Sequence, residues 1–342
     1  MTTYDPVSLK ILWDRLVAIS DELVLSLVRT SFSMNVREGY DLSCMLFDAH
    51  ARLLTQGSYS VPSFTGTAPR TIAHMLNTFP VETLQPGDIV ITNDPWMGTG
   101  HLFDINVMRP VFTPDRLVGF TMSVTHLPDI GGRGMSSDCT EIYHEGLRLP
   151  VCKLYEAGVA NELLLNIIRT NVRVPEQTIG DLMANVACNE VGGRSLLEFI
   201  QEYGLAEIET LSDAINDHAE AAMRERITEI PDGTYQNSIP IEGPGHPIQL
   251  AASVTVAGSA VAIDFTGTDG PVRASINVPF CYTRAQANYV IKCLTIPSLP
   301  NNEGAMRPIT VTAPDHCVLH AQHPWPTGGR HSVGHFVVPL LM

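Results

Sequence analysis

The sequence predicts an α+β fold: a mixed sheet-and-helix lobe carrying the candidate metal-binding residues, then a helical segment, then a smaller β-rich lobe. Three observations predict it. Apolar residues recur at helical spacing from Leu9 to Leu27, and β-branched apolar runs crowd positions 88–125. After Pro231-Asp232-Gly233 the texture changes from long helical patterns to short strand-like runs. The expected division is therefore 1–230 and 231–342.

Asp5-Pro6 reads as an N-cap followed by a first-turn proline. Leu9, Leu12, Leu16, Ile19, Leu23 and Leu27 follow every three or four residues, so an amphipathic helix is expected to run to about Thr30. It delivers the chain to Arg37-Glu38-Gly39-Tyr40-Asp41. A second helix is expected over 67–79, and a buried strand over 88–92 that ends at the Asn93-Asp94-Pro95 turn. Apolar runs at 107–112 and 118–125 flank Thr113-Pro114-Asp115, a hairpin signal. Antiparallel pairing of those runs brings His101 and Asp104, before the first strand, to the end of the sheet where His126 follows the second. Residues 161–226 are expected to be mostly helical, with a break at Gly192-Gly193. Strands are expected over 234–241, 248–256 and 260–265, with Gly258-Ser259 in a tight turn.

Composition narrows the class. At 342 residues with 44% hydrophobic content, the chain can bury a substantial core. Its 21 basic against 36 acidic residues leave a formal charge of −15 and no basic run, which argues against nucleic acid and against anionic membranes. The start shows no basic segment followed by an apolar one, and no uninterrupted apolar stretch reaches the ~18 residues of a membrane span. The seven cysteines are scattered and never form C-x-x-C, a pattern of reduced thiols in a cytoplasmic protein.

The chemistry concentrates in Gly98-Thr99-Gly100-His101-Leu102-Phe103-Asp104 and in His126-Leu127-Pro128-Asp129-Ile130-Gly131-Gly132. Imidazole plus carboxylate suits Zn, Mn or Fe, and an open coordination position activates water. His101, Asp104 and His126 are candidate ligands. The competing readings are a polar capping turn for the first two and a satisfied strand-end histidine for the third. Asp41 alone is uninformative. Asp129 and Glu141 are candidate proton carriers or orienting carboxylates. Gly131, Gly132 and Arg133 offer free amides and a guanidinium to a phosphate, with a plain turn as the alternative. His316, His320, His323, His331 and His335 are interleaved with proline and glycine, so a loop of exposed imidazoles is expected there. The acidic 205–226 helix is expected to present a solvated face.

Several phrases together resemble the hydantoinase B/oxoprolinase family. They are Glu38-Gly39-Tyr40-Asp41-Leu42-Ser43, Pro86-Gly87-Asp88, Asn93-Asp94-Pro95 with Gly98-Thr99-Gly100-His101, the His126–Gly132 stretch and Thr140-Glu141-Ile142-Tyr143. They continue with Glu145-Gly146-Leu147-Arg148-Leu149-Pro150, Asn171-Val172-Arg173-Val174-Pro175, Asp264-Phe265-Thr266-Gly267-Thr268 and Asn301-Asn302-Glu303-Gly304. The resemblance spans essentially the whole chain. It promotes Asp41 to join His101, Asp104 and His126 as metal ligands. It implies that a separate hydantoinase A-like ATPase subunit phosphorylates the carbonyl oxygen of a hydantoin, N-methylhydantoin or 5-oxoproline ring, and that this chain hydrolyses the activated ring with a divalent transition metal. No Walker-type phosphate loop occurs here, in keeping with ATP being used by the partner. The expected assembly is a cytoplasmic hetero-oligomer. Members of that family are longer, so the 231–342 region is expected to be incomplete relative to them. The rivals are an acetone carboxylase-like subunit joining a phosphorylated enolate to CO2, and a non-catalytic scaffold subunit.

Overall fold

The first helix, α1 (Pro6–Thr30), begins where its cap residue dictates: Asp5 Oδ1 accepts from the amides of Val7 and Ser8 at 3.0 and 3.1 Å. Its Leu12, Leu16, Ile19, Leu23 and Leu27 stripe is buried. The short α2 (Met34–Arg37) then leads into the main sheet. The structure is a computed structural model, and it describes residues 4–342.

The main sheet has seven strands in the order β2-β1-β5-β4-β3-β6-β7, every pairing antiparallel. They are β1 (Leu42–Asp48), β2 (Leu53–Gln56), β3 (Ile89–Thr92), β4 (Asp104–Phe112), β5 (Leu117–His126), β6 (Cys152–Glu156) and β7 (Val159–Ala160). Between β2 and β3 lies α3 (Ala68–Thr78). After the sheet come α4 (Glu162–Asn171), α5 (Pro175–Glu202) and α6 (Glu209–Ile227).

Both faces of the interior strand β5 are covered, and its period-two alternation divides the labour. Phe120, Met122 and Val124 pack with Ile72 and Met75 of α3. Thr121, Ser123 and Thr125 turn to α5, where Asn185 accepts from Ser123 Oγ at 2.7 Å and donates to Thr125 Oγ1 at 2.8 Å. Asn189 adds a donor to Ser123 Oγ at 2.6 Å and accepts from Thr121 Oγ1 at 3.0 Å. This buried polar seam fixes β5 and therefore the position of His126 at its end.

The expected break at Gly192-Gly193 does not occur; α5 runs through both residues. The reason is close helix packing. A Cβ on Gly192 would stand 2.5 Å from Leu23 Cδ1 of α1, so glycine here lets two helices approach. The acidic face of α6 is solvated as expected, with Asp213, Asp217 and Glu225 exposed. Arg52 bonds Asp213, and Arg307 reaches Asp217 and Glu220, both at 3.1 Å, so the face is partly committed to ion pairs.

After residue 231 a second sheet has the order β11-β10-β9-β8, built from β8 (Gly233–Ile241), β9 (Ile248–Ala257), β10 (Ala260–Asp264) and β11 (Ile309–Thr312). Gly258, at φ +58°, makes the expected turn between β9 and β10. This region also carries α7 (Phe280–Thr295), α8 (His331–Gly334) and α9 (Val337–Leu341). Among the described residues no helix is long and apolar enough to cross a membrane.

Candidate metal centre

The hairpin of β4 and β5 sets the site by register: Asp104 at the start of one strand pairs with His126 at the end of the other. Next to them Leu42 of β1 pairs with Thr125, and the His126 amide donates to the Asp41 carbonyl at 3.1 Å. His101 reaches the same end from the turn before β4. One potential ligand atom from each of His101, Asp104 and His126 lies within 4.8 Å of the other two. His101 Nε2 is 2.8 Å, and His126 Nδ1 3.4 Å, from Asp104 Oδ1. Atoms each about 2.1 Å from a common ion stand about 3.0 to 3.4 Å apart, so the spacing fits a cation. Asp41 Oδ2 lies 3.5 Å from His126 Nδ1, on the rim of the group.

Proton bookkeeping makes the case sharper. Burial, reinforced by the Arg330 charge, pushes the His101 pKa down to about 4, so the ring is neutral with one N–H. Its Nδ1 lies 2.9 Å from the Gly328 carbonyl oxygen, which only accepts, and so Nδ1 carries the proton. The Nε2 lone pair then faces a carboxylate oxygen at 2.8 Å. Both atoms are buried and have no hydrogen-bond partner. Burial opposes ionisation of Asp104, but the carboxyl is held well below its usual range, with the Arg330 guanidinium on its other oxygen contributing. Two electron-rich atoms with no proton between them are an arrangement that a cation would suit.

The other carboxylate oxygen is already occupied. Asp104 Oδ2 accepts from Thr99 Oγ1 and Arg330 Nη2, both at 2.7 Å, while Arg330 Nε donates to the Thr99 carbonyl at 2.7 Å. Arg330 also lies 4.4 Å over the Tyr282 ring. Gly100, at φ +98°, permits this approach; a Cβ there would sit 2.6 Å from Arg330 Cδ. The site opens into a cavity of about 330 Å³, whose lining includes Ser63, Phe64, Met135, Gln286, His331 and His335.

The sequence profile described as Hydantoinase B/oxoprolinase matches residues 5–342. The chain belongs to this family. Among its relatives is a protein named as the putative B-type subunit of a D-/L-hydantoinase from Pseudomonas sp. strain NS671, 30% identical over 99% of this chain and 60% of that one. The crystal structure of an ATP-dependent caprolactamase from Pseudomonas jessenii superposes with TM-score 0.89 at 28% identity, covering 99% of this chain and 60% of that one. A nucleotide-free acetone carboxylase structure shares the fold, with TM-score 0.85 at 19% identity over 98% of this chain and 46% of that one. This hydantoinase B-family chain thus spans about three fifths of the length of the first two.

Within this family member the remaining candidates fall outside the cavity lining. Asp129 is buried with both oxygens engaged: Oδ1 accepts from the Gly131 amide and Arg173 Nη1, each at 2.9 Å, and Oδ2 accepts from the Arg173 amide. It orders the loop after His126. Glu141 is half-exposed and faces His144 Nε2 at 3.4 Å. Gly131 and Gly132 line a separate cleft with Tyr143, Arg148 and Asn171, while the exposed Arg133 donates to the Asp138 carbonyl at 3.2 Å.

The C-terminal histidines meet the expected exposure at His316, His323 and His335, while His320 and His331 are half-buried. His331 and His335 line the cavity, because the Arg330–Asp104 pair draws the start of α8 onto the site. Partial burial and the Arg330 charge push both imidazoles down in pKa. His323 does meet the expectation of a loop position, against Tyr143 Oη at 3.2 Å. Sequence reasoning assigns no role to Arg330, Gly328, Tyr282 or Gln286.

Proposed function

We propose that this chain is the hydrolytic, B-type subunit of an ATP-dependent enzyme opening cyclic amides of the hydantoin, N-methylhydantoin or 5-oxoproline type. In this reading an A-type ATPase subunit phosphorylates the ring carbonyl oxygen and consumes the ATP. Family membership supports the class, and relatives named as subunits of a hydantoinase and of a caprolactamase support an assembly with more than one kind of chain. The observation that carries the site is the partnerless pair of His101 Nε2 and Asp104 Oδ1 at 2.8 Å.

His101, Asp104 and His126 would hold the metal, with Asp41 turning in from the rim as the fourth ligand. When bound, a divalent transition metal supplies water whose pKa is lowered towards about 7. The protein's own contribution is placement. Arg330 and Thr99 fix the Asp104 carboxylate, Gly328 fixes the His101 ring, and Phe103 stacks on His126 at 5.1 Å between centroids. Phe64 and Met135 offer apolar contact to ring methylenes, and Ser63 and Gln286 offer hydrogen bonds to an amide edge. Arg330 with His331 and His335 gives the cavity a wall suited to the added phosphate, a role the cleft at Gly131 and Gly132 would otherwise take. Neutral His331 or His335 can accept a proton there, a duty that the sequence alone suggests for Asp129 and Glu141.

The test is metal analysis of the purified protein beside His101→Ala and His126→Ala, followed by turnover with an ATPase partner. The expected result is stoichiometric metal in the wild type, clear loss in both variants, and ATP-dependent ring opening. Unchanged metal in the variants would defeat the ligand assignment. Bicarbonate-dependent consumption of a ketone in place of ring opening would move the chain to the carboxylase branch.

A further inference from the structure

The carbonyl that fixes His101 belongs to Gly328, in a stretch without regular secondary structure. The two peptide units that flank Gly328 are held by Ser275 and by a side chain from far earlier in the chain. Glu145 Oε1 accepts from the Gly328 amide at 2.8 Å and from the Ser275 hydroxyl. Ser275 in turn accepts the Gly329 amide on its own carbonyl at 2.6 Å. Gly328 has no room for a side chain: a Cβ would meet Ser275 Oγ at 2.9 Å and Glu145 Oε1 at 3.2 Å.

Glu145 is wholly buried, its oxygens form no salt bridge among the described residues, and its Oε2 has no hydrogen-bond partner. Burying a polar side chain is costly unless its hydrogen bonds do something, and an apolar residue would suffice if the loop needed only filling. Burial pushes its pKa up, while Ser275 and the amides of Gly328 and Thr327 pull against that. The Gly328 carbonyl belongs to the peptide unit shared with Gly329, whose N–H the Ser275 carbonyl holds, while Glu145 holds the N–H of the unit before it and the Ser275 hydroxyl. Only with both units pinned does the freely rotating Gly328 keep its carbonyl aimed at His101.

We propose that Glu145 is a positioning residue for the metal centre, acting through the Gly328 peptide to hold His101 as the Nδ1–H tautomer with Nε2 turned to the cation. The inference rests on reading His101, Asp104 and His126 as ligands. The partner of the remote ring nitrogen of a metal-binding histidine sets both its tautomer and its orientation, and loss of such a partner typically costs about 10- to 100-fold in metal affinity.

The experiment uses the full chain and zinc alone, competed against a chromophoric chelator, with Glu145→Ala, Glu145→Gln and Ser275→Ala beside His101→Ala as the no-site control. Glu145→Ala is expected to bind zinc at least about tenfold more weakly. Glu145→Gln, whose amide oxygen still accepts from Gly328, should stay close to wild type. In parallel, imidazole 15N shifts of the metal-free protein are expected to show His101 as the Nδ1–H tautomer in wild type and as a mixture in Glu145→Ala. A Glu145 that serves stability alone would lower the melting temperature and leave both the zinc affinity and the His101 tautomer unchanged, and that result overturns the proposal. Equal weakness of Gln and Ala variants would also overturn it, since charge and not the hydrogen bond would then matter. Should Glu145→Ala fail to fold, weakened binding in Ser275→Ala with retention in Glu145→Gln supports the clamp, and unaltered binding in Ser275→Ala overturns it. If wild type itself binds no zinc, the metal reading has failed, and the tautomer measurement still decides the role of Glu145.

Discussion

Asp104 does two jobs with two oxygens. Oδ2 is tied to Thr99 and Arg330, which leaves Oδ1 aimed at both imidazoles. Lysine cannot reproduce this. Arg330 reaches Asp104 through Nη2 and the Thr99 carbonyl through Nε at once, whereas a single ammonium has no such fork. We expect Arg330→Lys to lower metal affinity by about tenfold or more with unchanged far-UV circular dichroism, read by chelator competition. Wild-type affinity would show that Thr99 alone orients the carboxylate. The asymmetry between what is and is not legible in the sequence lies at this scale. His101 and Asp104 share one short turn, and His126 closes the strand paired with Asp104, so local spacing and a hairpin signal suffice. Arg330 meets Asp104 across 226 positions and Glu145 meets Gly328 across 183, and no periodicity encodes such partners. That His331 is half-buried and, with His335, lines the cavity is hidden for the same reason: their neighbours are set by that distant ion pair.

Secondary structure is legible where one force dominates. The α1 cap and stripe, the β4–β5 hairpin and the β9–β10 turn follow from capping, alternation and glycine at positive φ. The α5 glycines show where two forces compete. Glycine weakens a helix interior by about 1 kcal/mol relative to alanine, which suggests a break. The close approach of Leu23 to Gly192 reverses that sign, because the fully buried leucine has little freedom to move aside. Gly193 is different, with its nearest foreign atom, Val111 Cγ2, at 3.3 Å from an added Cβ. Gly192→Ala should therefore be destabilising by roughly 1 to 3 kcal/mol through overpacking. Gly193→Ala should be near neutral, its helix propensity gain offsetting a small clash. Urea denaturation of the two variants checks the contrast; equal stabilities would remove the packing explanation for an unbroken α5.

At the scale of the molecule, the strands divide near residue 230, with one sheet drawn from each side. The hydrophobic interior does not divide there. One cluster joins Leu16 and Leu27 of α1, Ile215 and Met223 of α6, Ile248, Leu250 and Ile263 of the second sheet, and Val337 and Leu340 of α9. The candidate centre is shared in the same way, with Asp104 and His101 from the first region held by Arg330 and Gly328 from the second. A change of sequence texture marks where strands begin, but carries no information about which apolar faces merge. We propose that 1–230 and 231–342 form one cooperative unit. If so, equilibrium unfolding followed by far-UV circular dichroism and by fluorescence of Trp13, Trp96 and Trp325 should give coincident transitions. Zinc at a hundredfold excess over its Kd should then stabilise the whole by about 2.7 kcal/mol, moving both probes together. Two separated transitions, or a zinc shift confined to one probe, would mean that the regions fold independently and that the centre is completed only when they dock. In that case Arg330 and Gly328 would act as an interface and not as a built-in brace, which is why the coincidence of the probes matters more than the size of the shift.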